Sequence, residues 1–216
     1  MQVLYNNVEN NCQLCYIPDF ITDQECKYVK QVLIIKGEND EYVIPSDGQP
    51  YLLHHPPINI YGKKYHQQRS VGFFTNNKHV KGYRYSKQIM ISQRMPDYMT
   101  DIMNRVNQFL FSCNFDINFN AILLNMYEHG KEYISAHSDS EIGLKNNVVA
   151  TISVGQNRIF RIRDKSTNNI VIDVPTYEKG LLLMMGNFQK YYTHEIPIEK
   201  YILDPRWSLT FREHHN

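Results

Sequence analysis

The stretch Arg206-Trp-Ser-Leu-Thr-Phe-Arg212, "RWSLTFR", carries two kinds of residue in strict alternation. On an extended strand, residues two apart share a face. Trp207, Leu209 and Phe211 then form an apolar face that belongs to a core, while Arg206, Ser208, Thr210 and Arg212 form the other. Two guanidinium groups turned inward need an anionic partner, because an unpaired buried charge is expensive. A carboxylate meets a guanidinium through two parallel hydrogen bonds, so a dicarboxylate would satisfy both arginines. A strand with two arginines on a solvated face has the same local pattern. The neighbouring sequence must decide between them.

Upstream, short apolar segments recur at regular spacing from Ala121: Ala121–Met126, Tyr133–His137, Val148–Val154, Arg158–Arg163, Ile170–Val174 and Gly180–Met185. Asn146-Asn147, Asn168-Asn169 and Gly186-Asn187 separate them as turn signals. The spacing predicts an antiparallel sandwich or jelly roll. Helices flank it, so the fold class is mainly β with an α+β periphery. Thr22 followed by Glu25 reads as a capping box, with Cys26, Val29, Val32 and Leu33 at helical spacing to about Lys36. A second helix starts near Pro96, its stripe of Met99, Ile102, Met103, Val106, Phe109 and Leu110 reading as core packing. Residues 37–57 read as turns and short strands.

A chain of 216 residues can bury a sizeable core as one domain, and its formal net charge of +1 implies no strong global field. A nucleic-acid contact would need a local basic patch. No basic-plus-apolar leader opens the sequence and no apolar run is long enough for a bilayer, which predicts a soluble, intracellular protein. Of the four cysteines, Cys12 and Cys15 form a lone C-x-x-C, weak as a zinc motif without a second pair. Reduced thiols fit a cytosolic setting.

Two further elements bear on the arginine face. In "ISAHSDSE", Ile134 to Glu141, His137 and Asp139 share a face if the segment is extended. They could pair with each other at the surface or grip one metal ion. His194, in "YYTHEIP", supplies a second imidazole just before the later strand. Two histidines and a carboxylate in this order match the facial triad of non-haem iron oxygenases, which leaves coordination positions open. The remaining histidines read as surface or supporting groups. Asn125 and Tyr127 place an amide and a phenol on one face as donors to a carboxylate. The joint order of these groups is more specific than any one of them.

Taken together, "NMYEHG", "ISAHSDSE", "GLLLMMGNFQKYYTHEIP" and "DPRWSLTFRE" resemble the AlkB family of iron(II)- and 2-oxoglutarate-dependent dioxygenases. The resemblance spans roughly Ile58 to Glu213 and is nearest to the eukaryotic duplex-DNA demethylase branch. It implies a double-stranded β-helix (jelly-roll) core, with Fe(II), 2-oxoglutarate and O2 as cofactors and co-substrates. His137, Asp139 and His194 would be the iron ligands. Arg206 would hold the distal carboxylate of 2-oxoglutarate, helped by Tyr127 and Thr210, with Arg212 and Asn125 near the chelating carboxylate. The implied reaction is oxidative demethylation of 1-methyladenine and 3-methylcytosine, with release of formaldehyde and succinate.

On the substrate side, "INIYGKKYHQQR" resembles the hairpin that pushes a side chain into the base stack, with Tyr61 at its tip and Lys63-Lys64 near phosphates. "GYRYSK" resembles the segment over a flipped base, with Tyr85 stacking and Tyr83 alongside; Lys81, Arg84 and Lys87 interleave with them. Arg158, Arg161 and Arg163 form a further candidate patch. Two departures matter: Ser140-Glu141 stands where relatives carry Asp-Glu, leaving Glu141 as the acid near the base. Glu199-Lys200-Tyr201 stands where the duplex-specific branch has a basic triplet. Expected partners are therefore nucleic acid, DNA foremost with RNA open, and no membrane, for a monomer of cytoplasm or nucleus. The chain reads as one catalytic domain over 1–216: an N-terminal helix and lead-in at 1–56, a nucleotide-recognition lid at 57–95, and a helix plus jelly-roll core at 96–216. The competing readings are an oxygenase acting on RNA or protein and a non-catalytic jelly-roll binding module.

Overall fold

The computed structural model describes residues 1–60, 62–77, 82–85, 88–139 and 144–214. Two sheets face each other. The larger runs in the spatial order Gln2–Asn7, Cys12–Ile17, Leu181–Gly186, Leu144–Gly155, Arg206–His214, Ala121–Tyr127, Ser70–Thr75, Tyr51–Leu53 and Leu33–Ile35. Gln88–Arg94 also joins it, parallel to Ser70–Thr75. The smaller sheet runs Ile134–His137, Tyr192–Ile196, Arg158–Asp164 and Ile170–Thr176. All seven strands expected from Ala121 onward are present, each within a few residues of its expected bounds. This is the jelly-roll arrangement, mostly β with few helices.

Strands in the middle of the larger sheet are buried on both faces, which explains their continuous apolar runs. Leu181, Leu183 and Met185 pack outward beneath the helices, while Leu182 and Met184 pack inward toward the smaller sheet. Helix Asp97–Ser112 covers the outward face with Met99, Ile102, Met103, Val106 and Leu110, all buried. Trp207, Leu209 and Phe211 enter that same outer core. Their alternate partners on the last strand are thereby aimed between the sheets.

The first helix, Asp23–Lys30, is opened by a complete capping box: Thr22 Oγ1 accepts from Glu25 N at 3.2 Å, and Glu25 accepts from Thr22 N at 2.7 Å. Thr22→Ala is expected to lower unfolding stability by about 1 kcal/mol, the usual worth of such a cap, measured as a shift in urea midpoint at unchanged slope. The helix ends earlier than its spacing suggests. The β-branched residues Val32, Ile34 and Ile35 favour extended chain, and Leu33–Ile35 finds a parallel partner in Tyr51–Leu53.

The N-terminal segment is more than a lead-in. Gln2–Asn7 and Cys12–Ile17 pair as an antiparallel hairpin, and Cys12–Ile17 continues the larger sheet against Leu181–Gly186. This decides the C-x-x-C question. Residues three apart on a strand point to opposite faces, so Cys12 lies in the inner core and Cys15 in the outer one. The two thiols cannot share one zinc ion. Both are free and buried, and burial pushes both thiol pKa values up. No helix among the described residues is long and apolar enough to cross a membrane.

Candidate metal centre and dicarboxylate pocket

His137 ends the edge strand of the smaller sheet and lies opposite His194 on the neighbouring strand, the two being register partners. Their rings sit 4.3 Å apart between centroids. Asp139 follows two residues later, fully buried. One ligand atom from each of His137, Asp139 and His194 can be chosen so that all three lie within 4.8 Å of one another. Pairing of the two strands therefore builds the cluster, which explains how residues so far apart in sequence meet.

The surroundings hold the three in ligand-competent states. Burial depresses the His194 pKa, aided by His137, to about 3, so the imidazole is neutral and its lone pair available. Burial also lowers that of His137, partly countered by Asp139. For Asp139, burial raises the pKa but is overridden, chiefly by Arg212, and the group stays ionised. Arg212 Nη2 donates to Asp139 Oδ1 at 2.5 Å. Phe160 stacks on His194 at 5.1 Å, and His137 Nδ1 lies 2.9 Å from the carbonyl oxygen of Ser135. Each imidazole is thus set in orientation by a neighbour. His194 Nδ1 is buried with no hydrogen-bond partner among the described residues. Two neutral imidazoles and one carboxylate suit a divalent first-row metal such as iron(II).

One pocket between the sheets is lined by Asn125, Tyr127, His137, Asp139, His194, Arg206, Thr210 and Arg212. The structure therefore gathers every residue that the sequence pointed to for metal and dicarboxylate. Arg206 is the deepest cation, 1% exposed, its charge lying 5.6 Å from the Tyr127 ring centroid. Its Nε and Nη2 donate to Thr176 and Ser153, while Nη1 is buried without a hydrogen-bond partner among the described residues. Burial lowers its pKa to about 10, which leaves it charged at neutral pH. A buried cation with an unused donor fits an incoming carboxylate.

Three contributors escaped the sequence reading. Arg69 is buried in the same pocket and donates through Nε to Asn125 Oδ1 at 2.8 Å. Because a guanidinium only donates, that bond sets the Asn125 amide with its NH2 facing away from Arg69. Gln189, on the short helix Phe188–Tyr191, accepts from Asp139 N at 2.9 Å and steadies the turn after His137. Ser153 anchors Arg206. None of these carries a local signal, since each acts across a strand pairing or from a turn.

Of the residues read as touching substrate, Tyr61 and Glu141 lie outside the described residues. Tyr83 and Tyr85 belong to strand Gly82–Tyr85, whose backbone pairs with Gln88–Arg94. The hairpin that would carry Tyr61 pairs Pro57–Ile60 with Lys63–His66. Lys64 is no free phosphate ligand, because it forms an ion pair with Asp40, to which His66 Nε2 is also hydrogen-bonded at 2.7 Å. The arginine patch is also neutralised. Arg158 is 2% exposed and binds Glu199 and the carbonyl oxygens of His129, Glu132 and Pro197. Arg161 pairs with Asp173, and Arg163 with Glu195.

The profile of the 2OG-Fe(II) oxygenase superfamily matches residues 13–212. The chain belongs to this superfamily. The match begins well before Ile58 and takes in all but the first residue of the strand Cys12–Ile17, as expected from its place in the larger sheet. Among characterised proteins, the chain is 33% identical over 104 residues to alpha-ketoglutarate-dependent dioxygenase alkB homolog 3 of Bos taurus. It is 32% identical over 103 residues to DNA oxidative demethylase ALKBH2 of Homo sapiens. Each alignment covers 44% of this chain, but only 36% and 40% of the respective relative. The aligned part of the chain is thus similar to eukaryotic AlkB homologues, and the chain spans well under half the length of these relatives. The solved structure of OsALKBH1 superposes with a TM-score of 0.57 at 14% identity, covering 93% of this chain and 97% of that one, which shows the shared fold. The superfamily's named requirements, iron(II) and 2-oxoglutarate, match the donor set and the buried cation of the pocket.

Proposed function

We propose that the protein is an Fe(II)/2-oxoglutarate-dependent dioxygenase that oxidatively demethylates N-alkylated bases, 1-methyladenine and 3-methylcytosine, in nucleic acid. DNA is the foremost substrate, and the products are formaldehyde and succinate. One observation carries the reading: a single buried pocket joins the His137–Asp139–His194 cluster to Arg206 and Arg212. A binding module would have no need to bury two cations beside a metal-ligand triad.

His137, Asp139 and His194 hold the iron in this reading. Arg206, with Tyr127 and Thr210, receives the distal carboxylate of 2-oxoglutarate, and Asn125 and Arg212 lie by the carboxylate nearer the metal. Bound iron and 2-oxoglutarate supply the oxidising power that hydroxylates the N-methyl group. The protein's part is orientation and exclusion of water. Arg212 holds Asp139 through Oδ1, and so would orient the carboxylate toward a metal held by the cluster. Tyr61 enters the base stack, Tyr85 stacks on the flipped base with Tyr83 alongside, and Glu141 attracts a cationic lesion. The division into 1–56, 57–95 and 96–216 follows these roles, with residues 57–95 as the lid, within a monomer of the cytoplasm or nucleus.

A preference for single strands, RNA included, is favoured by Glu199. Its carboxylate is engaged by Arg158 Nε and Ile159 N, each at 2.9 Å, so of residues 199–201 only Lys200 offers a cation to a complementary strand. Formaldehyde release from methylated single- and double-stranded DNA and RNA tests the whole reading. Release that requires both iron(II) and 2-oxoglutarate, from at least one methylated oligonucleotide, is the expected result. Succinate formation unaffected by any nucleic acid would instead point to a protein substrate.

A further inference from the structure

His55 holds its backbone in a conformation that L-residues resist. Its φ is +46°, in the left-handed region, although the proline that follows it favours extended chain. Backbone of this kind persists only where its surroundings fix it firmly, and it collects at functional positions. His55 is fixed from two sides. Its Nε2 lies 2.6 Å from Glu132 Oε1, and its ring stacks on that of His54 at 3.9 Å between centroids. His54 is pinned in turn: its N donates to Ile35 O at 2.8 Å, and its Nδ1 lies 3.2 Å from Ser70 Oγ.

Glu132 is the rigid end of this bond. It is 2% exposed, a depth at which a carboxylate needs its oxygens engaged. Oε2 accepts from Glu128 N at 2.7 Å, and Oε1 is left to His55. The Glu132 carbonyl oxygen accepts from the buried Arg158 at 2.9 Å. The other end is a hairpin. His55 and Pro56 lead straight into the paired strands Pro57–Ile60 and Lys63–His66, the second of which is exposed throughout. The exit of the hairpin is tied as well, because Tyr133 N donates to Gln68 O at 3.1 Å. Both ends therefore hang on residues 132 and 133, directly before the metal strand Ile134–His137. Asp40 also contacts Lys64 and His66, but it belongs to the preceding turn at 38–41.

We propose that the His55–Glu132 bond is the pivot that sets the angle of the Pro57–His66 hairpin to the metal strand, so that nucleic acid is gripped across the two only while this bond is intact. The proposal rests on the nucleic-acid reading above and adds two positioning residues to it, neither of which lines the metal pocket. The leverage is geometric. Four extended residues span roughly 13 Å, so a modest turn at the stem displaces the far end of the hairpin. A strand that must meet both that end and the metal pocket loses a preformed surface, and ordering it again costs affinity.

The test reads binding rather than turnover. A fluorescein-labelled single strand carrying one 3-methylcytosine is titrated, by anisotropy, against the full chain with manganese(II) and 2-oxoglutarate. Wild type, His55→Asn, Glu132→Gln and the double variant are compared. Asparagine takes positive φ readily, so His55→Asn keeps the turn while removing the bond and the stack. His55 is half-buried, and this variant should fold with a Tm close to wild type. Each single variant is expected to bind the strand about tenfold more weakly, and the double variant no more weakly than either, because the same bond is lost in all three. Manganese(II) and 2-oxoglutarate affinities, by isothermal titration, should be unchanged. General loosening of the fold would lower them together with the strand affinity. Should Glu132→Gln fold poorly, His55→Asn decides alone. Wild-type strand affinity in His55→Asn, additive losses in the double variant, or parallel losses of manganese(II) and 2-oxoglutarate binding overturn the pivot and leave the demethylase reading in place. A wild type that binds no methylated DNA or RNA strand and releases no formaldehyde overturns that reading, and the pivot with it.

Discussion

Asp139→Ala is expected to abolish formaldehyde release and to lower the unfolding stability as well, for two separate reasons. The first is ligation: Asp139 is the only carboxylate of the three-residue cluster, and its neutral partners His137 and His194 cannot replace its charge at the metal. Manganese(II) binding, followed by isothermal titration, should fall with the activity. The second is electrostatic. Arg212 is 5% exposed and donates to Asp139 at 2.5 Å. Removing one partner of such a pair leaves the other charge buried, at a typical cost of about 3–5 kcal/mol. His137→Ala should remove metal binding and activity with a smaller loss of stability, since that side chain is more exposed and forms no such pair with Arg212. Full activity in Asp139→Ala, or equal thermal midpoints for wild type and that variant, would contradict this account of the cluster.

Arg206→Ala should weaken 2-oxoglutarate binding by roughly 30-fold or more, because truncating one side of a buried charge-assisted pair typically costs about 2–5 kcal/mol. The KM for methylated oligonucleotide should move far less. The asymmetry follows from position: Arg206 is 1% exposed, at the inner end of the pocket, with Ser153 and Thr176 holding two of its nitrogens. Arg206→Lys should recover only part of the loss, since an ammonium keeps the charge but not the planar fork. Titration of 2-oxoglutarate in the presence of manganese(II) reads the effect without turnover. An unchanged affinity in Arg206→Ala would mean that the dicarboxylate lies elsewhere.

Much of the site was readable from local pattern. The alternation in Arg206–Arg212 assigned Trp207, Leu209 and Phe211 to the core, and the structure places them in the outer core with the polar set facing inward. The one-residue gap between His137 and Asp139 is likewise local. Arg158 shows where such reading stops. Arg161 and Arg163 share one face of their strand, but Arg158 lies on the other with Phe160 and Ile162, and its guanidinium is buried among Glu199 and three carbonyl oxygens from two other segments. Nothing within a few residues of Arg158 announces those partners. Cys12 and Cys15 make the same point in reverse, because a spacing that suggests shared chemistry belongs to two faces of one strand.

The sequence alone determined the strand periods, the capped first helix and the order of chemical groups along the chain, since each follows from steric alternation or from hydrogen bonds spanning a few residues. Only the tertiary structure decided which groups meet. Pairing of Ile134–His137 with Tyr192–Ile196 brings His137 opposite His194. Pairing of Ala121–Tyr127 with Arg206–His214 sets Tyr127 against Arg206 and Asn125 against Ser208. Packing of one sheet over the other then admits Arg69 to the pocket and brings Gln189 against Asp139. Those contacts depend on register between distant strands, and register is set by burying one face of the whole sheet at once, which no short window of sequence contains.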